Sequence, residues 1–322
     1  MRSLLLLLLL LFAAQPAYTQ IDSINPQTAL IKHDYISDKP GFFFNATSFN
    51  KKRAAIVIGT ESALGVGSLI GLSTIWYNDY PQTSFHTFND NGEWLQMDKC
   101  GHTLTAYTTG RISYGLLRWS GVKENKATLY GGLTGFAYLG VIEMFDGFSS
   151  GWGFSWGDMA ANTIGSGLFI GQQWLWHDQR IVPKFSFHRS GYAQYRPALL
   201  GSSFSEQLIK DYNGQTYWLS INVASFLGTQ TRFPKWINVA VGYGANGMVG
   251  GHSNPPVVAA DGSVRTFERY RQFYLAPDID LTKIPVRSPL LKTVFNVVGF
   301  VKVPLPGLEF SRGKIYGLPL AF

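Results

Sequence analysis

The sequence predicts an α+β protein in which a membrane-associated bundle of four helices is followed by a mixed domain of short antiparallel strands and two helices. Apolar, glycine-rich segments of helical length dominate residues 54–183, whereas alternating apolar residues and turn signals dominate residues 184–322. The balance between basic and acidic residues also changes after residue 183. Residues 1–183 hold 12 Lys/Arg and 13 Asp/Glu, and residues 184–322 hold 15 Lys/Arg and 7 Asp/Glu. A charged fraction of 15% with an aromatic fraction of 15% is typical of membrane and interfacial proteins.

The first 19 residues predict a signal peptide, because Arg2 precedes eight consecutive leucines and a stretch of small and polar residues. Residues 20–53 are predicted to form an extended N-terminal segment. Cys100 is the single cysteine, so the chain has no internal disulfide and no cysteine near the cleavage site to carry a lipid. Cys100 itself is interpreted either as a nucleophile or as an inert buried residue.

Four segments of residues 54–183 predict helices of membrane length. They run from Ala54 to Trp76, from Glu93 to Trp119, from Ala127 to Phe145 and from Ser155 to His177. Glycines within them favour close helix contact, and Trp76 and Tyr77 are expected at a membrane interface. Two arrangements remain open at this stage, a bundle that spans the membrane and one that lies at its surface.

Polar residues within these apolar segments predict a common polar centre. Asp98 and His102 are four residues apart, as are Asp158 and Asn162, so each pair lies on one helix face. Glu143 lies near the end of the third helix. Ionisable side chains are costly in such segments and usually face the interior of a bundle. Ser155 is expected to cap the fourth helix, which leaves Asp158 a second interpretation as a capping carboxylate.

Three roles for this centre remain open. As a catalytic site, His102 would act as general acid or base, Asp98 or Glu143 would orient it, and Asp158 would hold a proton. Lys99, Asn162 and Arg111 are then the candidate substrate-binding residues. As a metal site, His102, Glu143 and Asp158 would bind a divalent ion such as Zn²⁺ or Mn²⁺. As a structural network, the same groups would pair with one another and fix the helix register.

The second half predicts strands and two short helices. Helices are expected at 204–212, after Ser203, and at 288–298, where Ser288 and Pro289 form a start signal. Strands are expected at 217–226, 236–243, 271–281 and 314–320. Pro304 and Pro306 are expected to break regular structure.

The order Asp98-Lys99-x-x-His102, Glu143 and Asp158-x-x-x-Asn162-x-x-Gly165 resembles the motifs of the VanZ-like membrane proteins. Stretches such as WLQMDKCGH, GFSWGDMAANTIGS, DYNGQTYWLSIN and FPKWINVAVGYG are similar to the predicted periplasmic lipoprotein family that includes YfiM, in its long form from Bacteroidetes. This resemblance extends along nearly the whole mature chain and implies export to the cell envelope. It implies no reaction, and the chain departs from the family by lacking a cysteine at the expected site of lipid attachment.

The sequence thus predicts an exported membrane protein of the bacterial cell envelope whose polar centre binds or modifies a lipid-linked or glycolipid substrate. The alternative is a non-catalytic scaffold that binds an envelope protein. The basic second domain is expected in the periplasm, where an anionic membrane lipid or glycolipid is a better partner than nucleic acid. Whether the chain is an enzyme, and which of the two membranes it joins, stay open.

Overall fold

The computed structural model describes residues 42–73, 80–227 and 231–322. The predicted signal peptide, together with Trp76 and Tyr77, lies outside the described residues. Within them the predicted α+β class is confirmed, since four long helices precede a six-stranded antiparallel sheet.

The long helices are α1 (Lys51–Leu72), α2 (Met97–Trp119), α3 (Glu124–Asp146) and α4 (Trp156–Trp176). Local signals define two of their starts. The side chain of Asn50 accepts a hydrogen bond from Arg53 N at 3.0 Å and caps α1. Ser155 Oγ accepts a hydrogen bond from Asp158 N at 3.1 Å and caps α4, as predicted.

Helices α2, α3 and α4 form a three-helix core in which glycine allows the backbones to approach closely. A Cβ atom added to Gly135 on α3 would overlap the carbonyl oxygen of Ala106 on α2. One added to Gly131 would overlap the backbone of Tyr114, and one added to Gly165 on α4 would overlap the carbonyl oxygen of Thr103. These contacts leave no space for a side chain, so the glycines determine the spacing of the three helices.

Helix α1 differs from the other three. Its residues Lys51–Gly71 have a mean hydropathy of 1.5, and only 11% of the apolar window is buried. Of the four segments predicted at membrane length, it is the one among the described residues that is long and apolar enough to cross a membrane. The other three helices are less apolar because they carry the polar residues that face one another in the core.

A left-handed turn precedes α2, where the sequence predicted helix from Glu93 onward. Trp94, Leu95 and Gln96 have φ values of 46°, 51° and 66°. Such angles are unfavourable for residues other than glycine and need support from their surroundings. Here Trp94 N donates a hydrogen bond to Gly251 O at 2.8 Å, and the hydroxyl of Tyr243 donates to Leu95 O.

The main sheet has the strand order β1-β2-β3-β6-β7-β8, with every neighbouring pair antiparallel. Its strands are β1 (Ile181–Phe187), β2 (Gln215–Ile221), β3 (Ile237–Asn246), β6 (Tyr270–Ile279), β7 (Leu305–Ser311) and β8 (Lys314–Ala321). A separate hairpin consists of β4 (Val257–Val258) and β5 (Val264–Arg265). Short helices complete this part of the chain, namely α5 (Pro197–Leu200), α6 (Phe204–Lys210) and α7 (Pro289–Val298).

Strands β2, β3, β6 and β8 and the helices α6 and α7 were predicted, whereas β1, β4, β5, β7 and α5 were not. The predicted domain boundary after residue 183 falls within β1, which already belongs to the sheet. The expectation that Pro306 breaks regular structure is wrong. Strand β7 includes this proline, because the register between β7 and β8 shifts between Leu305 and Gly307 and so accommodates the missing N–H.

We expect Gly135→Ala to destabilise the helical core by about 2 kcal/mol or more, because α2 and α3 would have to move apart. The matched control is Gly59→Ala on α1, where an added Cβ would meet nothing within 4 Å. That change should be neutral or stabilise the helix by up to about 1 kcal/mol. Thermal unfolding of both variants measures the difference. Equal effects would show that the helices do not meet at Gly135.

Candidate functional site

Three helices bring the predicted polar residues together. Helix α2 carries Asp98, Lys99 and His102 close to its start, α3 carries Glu143 close to its end, and α4 carries Asp158 and Asn162 in its first two turns. Because the three helices are in close contact, these side chains meet in one pocket. The pair Asp158 and Asn162 belongs to one stripe of α4 that is buried along its whole length and continues through Gly165, Phe169 and Gln172.

His102 lies at the centre of this pocket. Its Nδ1 is 3.0 Å from Asn162 Oδ1, and since an amide oxygen only accepts, Nδ1 carries a proton. Its Nε2 lies 3.7 Å from Glu143 Oε1 and 3.7 Å from Asp158 Oδ1, and 3.9 Å from Asp98 Oδ1. No acceptor among the described residues is within hydrogen-bonding distance of Nε2.

Lys99 provides the second positive charge. Its Nζ lies 2.7 Å from Asp90 Oδ2, 2.7 Å from Asp158 Oδ1 and 3.3 Å from Asp98 Oδ2. Although the ammonium is this close, Asp158 Oδ1 accepts no hydrogen bond of ordinary geometry from the described residues. This oxygen is held by its ionic contact with Lys99.

Two residues of this site lie outside the predicted motifs. Asp90 lies in the loop before α2, where it contacts Lys99 and accepts a hydrogen bond from Ser155 Oγ at 2.6 Å. Tyr212, in the second half of the chain, donates a hydrogen bond to Asp98 Oδ1 at 2.8 Å. No helical spacing connects either residue with the motifs.

Glu143 is fixed by the start of α4. Its Oε2 accepts a hydrogen bond from the backbone N–H of Ser155 at 3.1 Å, and its side chain is only 2% exposed. Glu143 therefore takes the position that the sequence analysis had left open for Asp158 as a capping carboxylate. The carboxyl of Asp158 is directed at Lys99 and His102 instead.

Burial raises the pKa of two of the carboxyl groups towards neutrality. The pKa of Glu143 rises to about 7 because burial disfavours its charged form more strongly than the charge of His102 favours it. The pKa of Asp158 rises to about 8, first because of burial and second because of the negative charge of Asp98. Both groups therefore retain a proton over much of the neutral range.

The pKa values of Asp98 and His102 shift in the directions that favour their charged forms. Burial disfavours the charged form of Asp98, but the charges of His102 and Lys99 outweigh it and lower the pKa of this carboxyl. Burial likewise opposes the charged form of His102, but the surrounding carboxylates, first Asp98, raise the pKa of the imidazole. The pocket thus contains acids that keep their protons beside acids that lose them, which is common in acid–base sites.

The same groups define the place where a metal ion would bind. One ligand atom each from Asp98, His102 and Asp158 lies within 4.8 Å of the other two. Glu143, which was also named as a candidate metal ligand, has its Oε1 at 3.7 Å from His102 Nε2. The ammonium of Lys99, 2.7 Å from Asp158 Oδ1, already neutralises this oxygen, so a divalent ion would have to compete with it.

Two predicted residues do not join the pocket. Arg111 donates a hydrogen bond to Asn296 O on α7 at 2.7 Å. Because it follows His102 by nine residues, it lies about 13.5 Å further along α2. Burial raises the pKa of Cys100 to about 11, so this side chain stays a protonated thiol at neutral pH, which favours its interpretation as an inert residue.

Comparison with known proteins gives a match for the segment that contains most of the pocket. The chain matches no curated protein and no solved structure. Residues 86–170 match a family model described as "Predicted periplasmic lipoprotein (DUF2279)", and this segment contains every residue of the pocket except Tyr212. The description implies export to the cell envelope. Over residues 86–170, therefore, the chain is similar to the DUF2279 family of predicted periplasmic lipoproteins.

Proposed function

We propose that the pocket is an acid–base site that binds the polar head of a lipid-linked or glycolipid substrate in the cell envelope. The observation that carries this proposal is the environment of His102 Nε2. Three carboxyl groups lie 3.7–3.9 Å from this atom, and no acceptor among the described residues is at hydrogen-bonding distance. A substrate hydroxyl or phosphate oxygen beside Nε2 would accept its hydrogen bond.

A purely structural network would be arranged differently. Buried polar groups without partners cost about 1–3 kcal/mol each, so a network that serves only stability tends to pair all its members. Elsewhere in the chain such pairing is seen. The buried Asn213 Nδ2 donates to both Asp211 Oδ1 and Met248 O, each at 2.8 Å, and its Oδ1 accepts from Met248 N at 2.7 Å. The gap around His102 Nε2 is therefore better explained by a ligand than by helix packing.

The roles of the residues follow from their positions. His102 transfers the proton, because its Nε2 faces the gap while its Nδ1 is held by Asn162. Asp98, held in turn by Tyr212, favours the charged form of His102. Glu143 and Asp158 supply or accept further protons, because their pKa values of about 7 and 8 lie near neutral pH. Lys99 binds the negative charge of the substrate.

The surroundings of the pocket favour an amphiphilic substrate. Glu143 and Asp158 form its floor, at 2% and 6% exposure, whereas the side chain of Asp98 is 27% exposed at the opening. Apolar residues adjacent in sequence to this floor, Met144, Phe145 and Trp156, are exposed. An acyl or polyprenyl chain lying on them would leave its polar head at the pocket.

Replacing Glu143 by Gln should stabilise the protein above neutral pH. The folded protein holds the Glu143 proton up to about pH 7, but the unfolded chain releases it near 4.5. The stabilising effect of this proton is complete below about pH 4.5 and is lost as the pH rises through about 7. Glu143→Gln should therefore be more stable than the original protein by about 2 kcal/mol at pH 8 to 9, with little difference at pH 4.

Thermal unfolding in detergent between pH 4 and pH 9 tests this prediction. Glu268→Gln, at an exposed position outside the pocket, is the matched control and should leave the pH dependence unchanged. A charged Glu143 that only pairs with His102 would give the opposite result. In that case Glu143→Gln would be less stable than the original protein at every pH above 5.

Replacing His102 by Gln, or Asp158 by Asn, should abolish substrate binding while the protein stays folded. Asp158→Asn keeps the shape of the protonated carboxyl, so the helices should still pack. We expect native mass spectrometry, after incubation with a total lipid extract of bacterial envelopes, to detect a lipid adduct on the original protein. Both variants should lose this adduct without a fall in the unfolding temperature.

His177→Gln is the matched control, since this histidine pairs with Glu124 at the exposed end of α4 and should retain the adduct. The scaffold alternative predicts a different pattern. If the pocket is only a structural network, His102→Gln and Asp158→Asn should both lower the unfolding temperature. The adduct would then be absent from the original protein or present in all folded variants.

A further inference from the structure

The six-stranded sheet presents one apolar face to the outside. In one row across four neighbouring strands, Leu219, Val241, Leu275 and Leu308 are in register, and each side chain is 41–44% exposed. The adjacent row contains Phe273, Phe310 and Ile315, which are also exposed. Scattered exposed apolar residues are normal, but contiguous rows of them mark an interaction surface.

The opposite face is buried, although it carries charge. Lys184, Lys302 and Asp278 are at most 1% exposed, and Lys184 Nζ lies 2.7 Å from Asp278 Oδ2. Ser220 Oγ donates to the same carboxylate oxygen at 2.6 Å, and Asn238 Nδ2 donates to Ser220 Oγ at 2.8 Å. These groups invert the usual polarity of an antiparallel sheet, apolar inside and polar outside, over part of the buried face. The rest of that face holds the apolar cluster of Trp218, Ala240, Tyr274, Ala276 and Ala321.

The inversion is possible because the sheet curls strongly. Lys302 N donates to Phe185 O beside β1, yet β7 begins three residues later, at Leu305. In a flat sheet β1 and β7 would be four strand spacings apart, about 19 Å, whereas three residues span at most about 11 Å. The sheet must therefore curl, and it encloses its polar face.

Basic side chains border the apolar face at one end. Arg271 pairs with Ala245 two residues before Phe273, and Arg312 and Lys314 follow Phe310 at the turn between β7 and β8. All three basic residues are exposed. The guanidinium of Arg312 lies 3.8 Å from the centre of the Tyr270 ring, so an aromatic side chain joins this rim. Trp236 and Lys235 lie just before the other end of β3, where Ile237 pairs with Ile279.

An apolar band with aromatic and basic residues at its edges is the pattern of a protein surface that contacts lipid. We infer that the outer face of the curled sheet lies against the acyl chains of an anionic phospholipid membrane, with the basic rim at the head groups. Charge complementarity identifies this partner, because the segment 184–322 holds 15 Lys/Arg against 7 Asp/Glu. This inference does not depend on the proposed function of the polar pocket.

Two variants of the full chain test this inference, and each carries one fluorescent label at a different position. With Cys100→Ala as background, Leu275→Cys places the label on the apolar face, and Ala260→Cys places it on the exposed β4–β5 hairpin. The protein is reconstituted into vesicles of phosphatidylglycerol and phosphatidylethanolamine. We expect acyl-chain nitroxides to quench the label at position 275 several-fold more strongly than the label at position 260, and aqueous iodide to show the reverse order.

Two results would overturn the inference. Equal quenching of both labels by iodide would show that the face is open to water. Protection of position 275 from iodide without quenching by acyl-chain nitroxides would show that protein covers it, either a second copy or another segment of the chain. Unchanged unfolding temperatures of the labelled variants, relative to the Cys100→Ala background, establish that the label has not disturbed the sheet.

Discussion

An imbalance of charge in one pocket is the constraint on which the helical half of the protein depends. Asp90, Asp98, Glu143 and Asp158 share this space with only two cationic side chains. Four ionised carboxylates could not remain there, because burial leaves too little water to screen them. Two of the acids, Glu143 and Asp158, instead keep their protons near neutral pH. The glycines allow the helices to pack closely, and this packing buries the carboxyl groups. The number of protons that the site holds is therefore linked to the packing of the helices.

The sheet domain contributes to this pocket although it is distant in sequence. Tyr212 holds Asp98 directly, and Tyr243 holds Leu95 in the left-handed turn before α2. Arg271 donates a further hydrogen bond to Gln96 in the same turn, at 2.7 Å. The start of α2 and the turn before it are thus connected to the sheet domain at three points. The position of the sheet and the orientation of this carboxylate cannot change independently.

Local periodicity explains what the sequence could predict. The four-residue spacings of Asp98 with His102 and of Asp158 with Asn162 fix a helix face, and the helices did bring these faces together. Asp90 and Tyr212 could not be found in this way, because loop and interdomain contacts leave no period in the sequence. Arg111 lies on the same helix as His102, but it is about 13.5 Å further along the helix axis and therefore outside the pocket. The alternation in β3 revealed two faces of the strand, yet alternation alone does not show which face is covered.

The sheet and the helices share one further property that periodicity could not show. In both, polar side chains meet inside, while large apolar side chains such as Ile164, Leu175 and Leu320 are exposed. In water this arrangement would be unfavourable, since exposed apolar area costs about 25 cal/mol per Å². Next to lipid that cost disappears, and each polar group is best placed where it finds a partner within the protein. A surrounding of lipid would therefore account for the large apolar side chains that both the helices and the sheet expose.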